Sequence, residues 1–283
     1  MSQIAVIGAA GQLGSDLMRV LGDRGLPLGH AEIELTQPAS IAAALDGRGV
    51  TRVINCAAYN LVDNAEGEPE AAFAVNAFGV RNLARWCGLH DVPLLHVSTD
   101  YVFGLDAGRM TPYTVDDAAG PVSVYGSSKL AGEHFVRALC SRHWVVRTCG
   151  LYGRNAARGK GNFVETMLRL GRERPELRIV ADQFCTPTST SDLATALAAL
   201  VQTDAYGLYH ATNSGGCSWY DFAAEIFRVA GLSPVLKPIT AREYGAAAKR
   251  PAYSVLDCSR LVAACGVRLQ PWQEAVGAYL GDA

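Results

Sequence analysis

The chain has 283 residues, of which 49% are hydrophobic and 18% charged, so its composition is that of a globular protein rather than a disordered one. Its 25 basic and 27 acidic residues leave a formal net charge of −2, which offers no general electrostatic basis for binding nucleic acid or an anionic membrane. No apolar run is as long as a transmembrane helix, and no basic leader with a cleavage site precedes the first apolar run. We therefore expect a cytoplasmic protein with no nucleic-acid and no membrane partner.

Short apolar runs alternate with helical stretches through the first half of the chain. The predicted strands centre on residues 4–7, 53–54, 93–97 and 144–147, and the predicted helices on 13–21, 40–45, 69–90 and 127–139. Because continuous apolar strands that alternate with helices are typical of a parallel sheet covered on both faces, we predict an α/β fold with a Rossmann-type doubly wound parallel sheet.

The alternation weakens after about residue 150. Further helices are predicted over about 163–174, 191–201 and 218–230. The last of these begins at Ser218, where Ser-Trp-Tyr-Asp has the pattern of a capping box. We predict a dinucleotide-binding domain over 1–150, to which a segment near 182–205 returns, and a smaller C-terminal substrate-binding lobe over most of 151–283.

A glycine-rich turn joins the first predicted strand to the first helix. Gly8, Gly11 and Gly14 occur there at the spacing G-x-x-G-x-x-G. Glycines let the backbone approach a pyrophosphate closely, and the helix N-terminus adds amide donors and the positive end of its dipole. In this strand–turn–helix context the pattern indicates a dinucleotide site rather than a merely structural turn.

Two alternatives are open for the adenosine ribose of the cofactor. Glu32 and Glu34 lie 18 and 20 residues beyond Gly14, a distance that fits a carboxylate selective for NAD(H). The second strand, however, ends at Gly29-His30 with no acid at its tip, which leaves room for the 2′-phosphate of NADP(H). We expect both NADPH and NADH to bind, with NADPH preferred.

Tyr125 and Lys129 form a Y-x-x-x-K pair at the start of a predicted helix, where residues four apart share one face. A neighbouring ammonium is expected to lower the pKa of the tyrosine, which would suit a proton donor to a carbonyl under reduction. Upstream, Thr99 follows a predicted buried strand, and the carboxyl ends of parallel strands collect catalytic groups. With the glycine turn, these three residues predict a reductase site rather than a surface tyrosine–lysine pair.

The cysteines, histidines and tryptophans receive simpler interpretations. The eight cysteines contain no C-x-x-C pair, and the six histidines have no metal-ligand spacing. We therefore expect free thiols in a reducing compartment and no metal. Trp86, Trp144, Trp219 and Trp272 are interpreted as packing residues rather than as platforms for a sugar.

The sequence resembles the dTDP-4-dehydrorhamnose reductase family, within the extended short-chain dehydrogenase/reductase superfamily, almost from end to end. The resemblance is carried by GAAGQLG (8–14), VINCAAYNLVDNAEGEPE (53–70), STDYVF (98–103), VYGSSKLAGE (124–133), GNFVETMLRL (161–170), DQFCTPTSTSDLA (182–194), GLYHATN (207–213) and KRPAYSVLD (249–257). The phrases VDNAE and STDYVF are rather specific to this branch of the superfamily.

The resemblance implies NAD(P)H-dependent reduction of the 4-keto group of a nucleotide sugar, with dTDP-4-dehydro-L-rhamnose as the favoured substrate and dTDP-L-rhamnose as the product. The cofactor contacts that it implies are Gly8, Gly11, Gln12, Leu13, Gly14, Ala57, Ala58, Asn60, Tyr125 and Lys129. The catalytic residues that it implies are Thr99, Tyr125 and Lys129, and the implied substrate contacts are Thr99, Asp100, Asn162 and Arg250.

Other functions within the same superfamily stay open. A reductase or epimerase of another nucleotide-linked hexose is one alternative, and a non-catalytic NADP-binding regulatory subunit is another. A 4,6-dehydratase is disfavoured, because Tyr101 stands where that enzyme needs an acid.

Two departures from the family pattern bear on the substrate and on assembly. Gly150 stands where family reductases commonly have a tryptophan, so we expect a wider sugar pocket. Asp16 and Ser191 match positions at which some members hold magnesium between subunits through glutamates, so no metal is carried over. A homodimer is left open.

Overall fold

The computed structural model describes residues 3–155 and 161–281. The strands in these ranges are β1 (Gln3–Ile7), β2 (Gly25–Leu28), β3 (Val50–Asn55), β4 (Leu94–Thr99), β5 (His143–Thr148), β6 (Leu151–Tyr152), β7 (Glu176–Val180), β8 (Phe184–Cys185), β9 (Thr188–Ser189), β10 (Gly207–His210), β11 (Cys217–Ser218) and β12 (Val235–Ile239). The helices are α1 (Gln12–Leu21), α2 (Pro38–Leu45), α3 (Val62–Ala65), α4 (Pro69–Phe73), α5 (Val80–Leu89), α6 (Val124–Leu139), α7 (Phe163–Glu173), α8 (Thr190–Leu200), α9 (Trp219–Ala230), α10 (Ala241–Tyr244), α11 (Ser259–Cys265) and α12 (Trp272–Gly281).

The central sheet has the order β10-β5-β4-β3-β1-β2, and each neighbouring pair of its strands is parallel. This confirms the predicted α/β class. The strand order reverses at β1, because β2 lies on one side of it and β3 on the other. In such sheets the carboxyl ends of the strands on either side of the reversal form the crevice that receives a ligand.

Apolar helices cover both faces of this sheet. On one face α1, α8 and α11 enclose a buried cluster with Val6, Leu95 and Trp144. On the other face α2, α5 and α6 enclose a second cluster with Ile7 and Val145. The chain therefore returns to the sheet after residue 150, through α8 and then β10; the predicted division into two domains stays a prediction.

A separate apolar cluster forms among α7, β7, α9 and α12, and we call these elements together with β12 the smaller lobe. Helix α9 begins with the predicted capping box, which is confirmed: the Ser218 hydroxyl accepts from the Asp221 amide at 3.1 Å, and the Ser218 amide donates to the Asp221 carboxylate at 3.0 Å. Across residues 3–155 and 161–281, none of the helices combines the length and the apolar character that a membrane span requires.

A buried ion pair joins α6 to the sheet. Arg147 on β5 donates from Nε and Nη2 to the two carboxylate oxygens of Glu133, at 2.9 and 2.7 Å. Ser98 on β4 donates to the same carboxylate at 2.5 Å. The two charged side chains are only 4% and 1% exposed, so each charge depends on the other for compensation.

We expect Arg147→Met to lower the free energy of unfolding by about 3–5 kcal/mol, because Glu133 would keep a buried charge without its partner. The double variant Glu133→Met/Arg147→Met should recover much of this loss, since neither charge is then stranded. Urea unfolding of the wild type, both single variants and the double variant measures the effect. A single variant as stable as the wild type would contradict this view of the pair.

Candidate active site

The glycine turn lies at the N-terminus of α1, and we call it the glycine cradle. Three of its positions, Gly8, Gly11 and Gly14, have no side chain. Gly8 has a φ of +80°, and a Cβ there would lie 3.0 Å from the backbone nitrogen of Ala57. A Cβ on Gly14 would lie only 2.2 Å from the carbonyl oxygen of Gly8. The turn therefore tolerates only glycine at both positions. The amides of Gly8, Ala9 and Gly11 donate to backbone carbonyls, so the donors that suit a dinucleotide diphosphate are those of the first turn of α1, beside the β1–β3 reversal.

Gln12 links this turn to the smaller lobe. Its side-chain oxygen accepts from the Gly153 amide at 2.9 Å and from Asn162 Nδ2 at 3.0 Å. Asn162 in turn accepts from the Glu165 amide and so caps α7. The Leu13 side chain is buried in the core, which leaves its backbone for any cofactor contact. The cofactor and substrate roles of Gln12 and Asn162 stay predictions.

Residues 57–60 run along the opposite wall of the crevice. The Ala57 amide donates to the side-chain oxygen of Asn55 at 3.0 Å, which orients the start of this segment. Ala58 is half-buried and Asn60 is exposed. The segment thus follows the carboxyl end of β3, where the resemblance expects the cofactor to pass.

A buried asparagine that the sequence interpretation missed ties this wall to α6. Asn76 Oδ1 accepts from the Tyr59 amide, and Asn76 Nδ2 donates to the Tyr59 carbonyl and to the Ser128 hydroxyl, at 2.9, 2.9 and 3.0 Å. The helix predicted over 69–90 is here divided by a π-helical turn, Ala74–Gly79, that contains Asn76. In the sequence, an asparagine within a predicted alanine-rich, buried helix is the signal that could have identified it, because a buried polar side chain needs hydrogen-bond partners.

The tip of β2 carries an acid after all, so the expectation of none is wrong. Glu32 folds back and its carboxylate accepts from the Gly29 amide at 2.7 Å, at the point where β2 ends. Glu34 is held instead by the amide and hydroxyl of Thr36, which lower the pKa of its carboxyl. A carboxylate at this position favours ribose hydroxyls over a 2′-phosphate, so Glu32 opposes the predicted preference for NADPH.

Thr99 and Tyr125 meet at the carboxyl end of β4. Thr99 donates to Asp100 Oδ1 and accepts from the Tyr101 amide, both at 3.2 Å, and it lies close enough to Tyr125 to exert a lowering effect on the pKa of that tyrosine. A Cβ on Gly126 would lie 2.2 Å from the Tyr101 carbonyl oxygen. The first turn of α6 thus rests directly on the turn that follows Thr99.

Two side chains fix the start of α6 and thereby the position of Tyr125. The Ser123 hydroxyl accepts from the Gly126 amide at 3.2 Å as the N-cap. Glu66, from the VDNAE phrase, accepts from the Val124 amide at 2.9 Å. Both satisfy amide groups that a helix N-terminus leaves without intrahelical partners.

Burial moves the pKa values of the tyrosine and the lysine in opposite directions. It raises the pKa of Tyr125 to about 12, against the lowering effect of the Thr99 hydrogen bond. It lowers the pKa of Lys129 to about 8, against the raising effect of Glu133. The pKa of Tyr125 is thus raised overall, not lowered as expected, because desolvation dominates. The Lys129 ammonium donates to the Val97 carbonyl at 2.7 Å.

Asp100 is the first residue of the turn Asp100–Val102 that directly follows Thr99, which we call the catalytic turn after its predicted role. The residue is only 1% exposed. Its Oδ2 accepts from the Ser254 hydroxyl at 2.6 Å, and the nearby Cys149 thiol exerts a lowering effect on its pKa. Burial raises its pKa to about 6, which these hydrogen bonds partly oppose. In this structure Asp100 joins the catalytic turn to the 249–257 segment, and its contact with substrate stays a prediction.

Arg250, from the same segment, forms a bidentate ion pair with Asp63 of the VDNAE phrase, at 3.1 and 2.8 Å. The charge of Arg250 also acts on the Tyr101 side chain, whose ring meets the Tyr125 ring edge-on with centroids 5.8 Å apart. About a fifth of its side chain stays exposed (20%), so the side chain is not fully enclosed by the protein. Its predicted contact with substrate is untested.

The positions compared with the family's magnesium ligands are bonded to other side chains. Asp16 accepts from Thr190 at 2.5 Å and from Arg19 at 3.2 Å, and Arg19 also donates to Ser191 at 2.9 Å. Among the residues that the structure describes, no group of three histidine, cysteine, aspartate or glutamate side chains is placed to hold a metal ion. The prediction of no metal stays a prediction.

Comparison with known proteins identifies the family of the chain. A family model described as the RmlD substrate binding domain matches residues 1–283. The spore coat polysaccharide biosynthesis protein SpsK of Bacillus subtilis (strain 168) is 38% identical over 286 residues, which cover 100% of this chain and 98% of SpsK. A dTDP-4-dehydrorhamnose reductase of Streptomyces griseus is 42% identical, with 96% and 90% covered. The crystal structure of dTDP-4-dehydrorhamnose reductase from Bacillus anthracis (Ames), in complex with NADP, matches with a TM-score of 0.93 at 36% identity and covers 100% of both chains.

We expect Lys129→Met to abolish reduction and yet raise the free energy of unfolding at pH 7 by about 1–3 kcal/mol, because burial penalises the ammonium. Between the folded pKa of about 8 and the unfolded value of 10.5, the unfolded chain binds more protons. Wild-type stability should therefore rise with pH in that window, and the gain of the variant should shrink.

Denaturant unfolding from pH 7 to 11 measures this gap, with the exposed Lys237→Met as the matched control. A variant less stable than the wild type at pH 7, or a gap that does not change with pH, would overturn the argument.

We expect Glu32→Gln to move the ratio of KM values about tenfold in favour of NADPH, because it removes a negative charge at the end of β2, where the ribose 2′-position of a bound dinucleotide is expected. Glu34→Gln is the control, since that carboxylate is held by Thr36. Steady-state kinetics with each cofactor provides the ratio. An unchanged ratio in Glu32→Gln, or an equal change in the control, would remove Glu32 from cofactor selection.

Proposed function

The chain belongs to the family of the RmlD substrate binding domain, which its full length matches, and from this membership we propose that it is an NAD(P)H-dependent reductase of the 4-keto group of a nucleotide sugar. The favoured reaction is dTDP-4-dehydro-L-rhamnose to dTDP-L-rhamnose. The observation that carries the proposal is that the first turn of α6, which holds Tyr125, rests on the turn after Thr99, while Lys129 of the same helix donates to the Val97 carbonyl of β4.

The cofactor, when bound in the cradle, supplies the hydride. The hydroxyls of Thr99 and Tyr125 donate hydrogen bonds to the oxygen of the substrate carbonyl and stabilise the negative charge that develops on it. Tyr125 then donates its proton to that oxygen. Because burial raises its pKa to about 12, Tyr125 carries this proton at neutral pH, which is the form that a donor needs.

Lys129 supports this step as a nearby positive charge. With a pKa of about 8, Lys129 is mostly protonated at pH 7. Its positive charge stabilises the negative charge that Tyr125 acquires when it gives up its proton. The glutamate–arginine pair and the Val97 carbonyl hold it on the same face of α6 as Tyr125. We also propose that Lys129 contacts the nicotinamide ribose, as the resemblance implies.

The nucleotide part of the substrate would serve as the handle that orients the sugar. Arg250 supports this role, because its charge acts on Tyr101 in the turn after Thr99 and its side chain is partly exposed. A charge-assisted contact with a phosphate contributes about 1.5–3 kcal/mol. Since binding energy at a remote group helps to place the reacting centre, a free keto sugar should react poorly.

We place this reaction in the cytoplasm. Cys56, Cys87, Cys140, Cys149, Cys185, Cys217, Cys258 and Cys265 are all free thiols. Burial raises the pKa of several of them, among them Cys87 and Cys56, which keeps them unreactive. A reducing compartment supports that state.

We expect Tyr125→Phe to lower kcat by about 10²- to 10⁴-fold, because only the proton donor is lost. Cofactor affinity should stay near the wild-type value. Consumption of NADPH with a panel of 4-keto nucleotide sugars, together with calorimetric titration of cofactor, measures both. Tyr206→Phe, on a tyrosine that bonds to Asp204 far from Thr99, is the control.

Near-normal turnover by Tyr125→Phe would remove that residue from the proton transfer. If the wild type binds cofactor but reduces no member of the panel, a non-catalytic binding subunit becomes the better description. Reduction of the free keto sugar as fast as of its nucleotide would refute the phosphate handle.

A further inference from the structure

The Thr99 hydroxyl has a single proton, and in this structure it donates that proton to Asp100. The hydrogen bond joins Thr99 Oγ1 to Asp100 Oδ1 at 3.2 Å. Under the proposed function, the same hydroxyl donates to the oxygen of the substrate carbonyl. Because a threonine hydroxyl has only one proton to donate, that proton must turn from Asp100 to the substrate before reduction. The proposed reaction therefore withdraws one hydrogen bond from the Asp100 carboxylate.

The surroundings of Asp100 make the loss of a hydrogen bond costly. Almost none of the residue is open to solvent, since it is only 1% exposed. A buried carboxylate keeps its charge where nearby groups donate hydrogen bonds to it, and it is destabilised when such a bond is removed. A second donor on this carboxylate is therefore needed when the Thr99 proton turns to the substrate.

Ser254 is such a donor, and it acts on the other carboxylate oxygen. Its hydroxyl donates to Asp100 Oδ2 at 2.6 Å, a short distance that is typical of an O–H donor on an ionised acceptor. Another acceptor near this hydroxyl, the Phe184 carbonyl oxygen, lies further away at 3.5 Å. The one proton of Ser254 is thus donated mainly to Asp100, and it does not compete with Thr99 for Oδ1.

Backbone pairing with β8 holds Ser254 in place beside the catalytic turn. The Phe184 amide donates to the Ala252 carbonyl, and the Phe184 carbonyl accepts from the Ser254 amide, both at 2.8 Å. Ser254 itself is only 3% exposed. Its hydroxyl therefore reaches Asp100 from a segment whose position does not depend on the hydrogen bond of Thr99.

We propose that Ser254 is a positioning residue for the reduction, which keeps the buried Asp100 carboxylate hydrogen-bonded while the Thr99 hydroxyl turns to the substrate carbonyl. This inference rests on the proposed function. Without the Ser254 hydroxyl, the carboxylate holds the Thr99 proton more strongly, so Thr99 stabilises the charge on the carbonyl oxygen less well. Ser254 acts through Asp100 and not on the nucleotide, so its loss lowers kcat without weakening the binding of dTDP.

The matched variants Ser254→Thr and Ser254→Val test this role, because the two side chains have nearly the same shape and only threonine has a hydroxyl. At pH 8, where Asp100 is ionised, kcat should be about tenfold lower in Ser254→Val than in Ser254→Thr, at a similar KM for the nucleotide sugar. Calorimetric titration should give both variants the same affinity for dTDP. Thr212→Val is the control, because it removes a buried hydroxyl that bonds to Cys258 instead, and its kcat should match that of the wild type.

A second measurement follows the Asp100 carboxyl directly and needs no turnover. NMR of protein labelled with ¹³C at the aspartate carboxyl carbons, with Asp100→Asn to assign the signal, gives the pKa of Asp100 in each variant. This pKa should be higher in Ser254→Val than in Ser254→Thr, because a donor to the ionised form is lost. The titratable side chains that sense the Asp100 charge are Tyr101, Tyr125 and Cys149, whose pKa values are all raised, so they stay neutral in this pH range.

Equal kcat values in Ser254→Thr and Ser254→Val would overturn the proposal, as would a loss of dTDP affinity in the valine variant or an unchanged pKa of Asp100. If the valine variant does not fold, the smaller Ser254→Ala takes its place in both measurements. If the wild type reduces no 4-keto nucleotide sugar, the proposed function fails, while the NMR titration still decides whether Ser254 holds the Asp100 carboxylate.

Discussion

The buried ion pair between Glu133 and Arg147 is the constraint on which the active site depends. Glu133 lies four residues beyond Lys129 on α6, so the helix face that meets Arg147 also turns Lys129 toward β4. Tyr125 is one further turn back on the same face and reaches Thr99. A buried charge pair needs close geometry to offset its desolvation, and it therefore fixes the helix more narrowly than apolar contacts would.

Polar contacts between distant motifs complete the site above this pair. Gln12 with Asn162, Asp100 with Ser254, and Asp63 with Arg250 each join a motif of the first half of the chain to one of the second. These side-chain contacts therefore hold segments of both halves of the chain against one another around the proposed site.

Desolvation sets the electrostatic character of the site. It keeps Tyr125 protonated by raising its pKa, and it brings the pKa of Lys129 down to about 8. Both shifts favour the neutral form of each group, as burial in a low-dielectric interior does. Tyr125 keeps its proton, and burial penalises the charged form of Lys129. Such shifted pKa values are common at functional sites.

The sequence by itself determined the parallel sheet, the glycine cradle, the Y-x-x-x-K helix and the capping box at Ser218, because each depends on residue types at short, regular spacings. Only the tertiary structure decided that Glu32 folds back onto the end of β2 and that Asp100 pairs with Ser254, 154 residues away. It alone brought Trp219 to Gly150. Such contacts depend on side-chain conformation and on how separate elements pack, and no spacing along the chain encodes either.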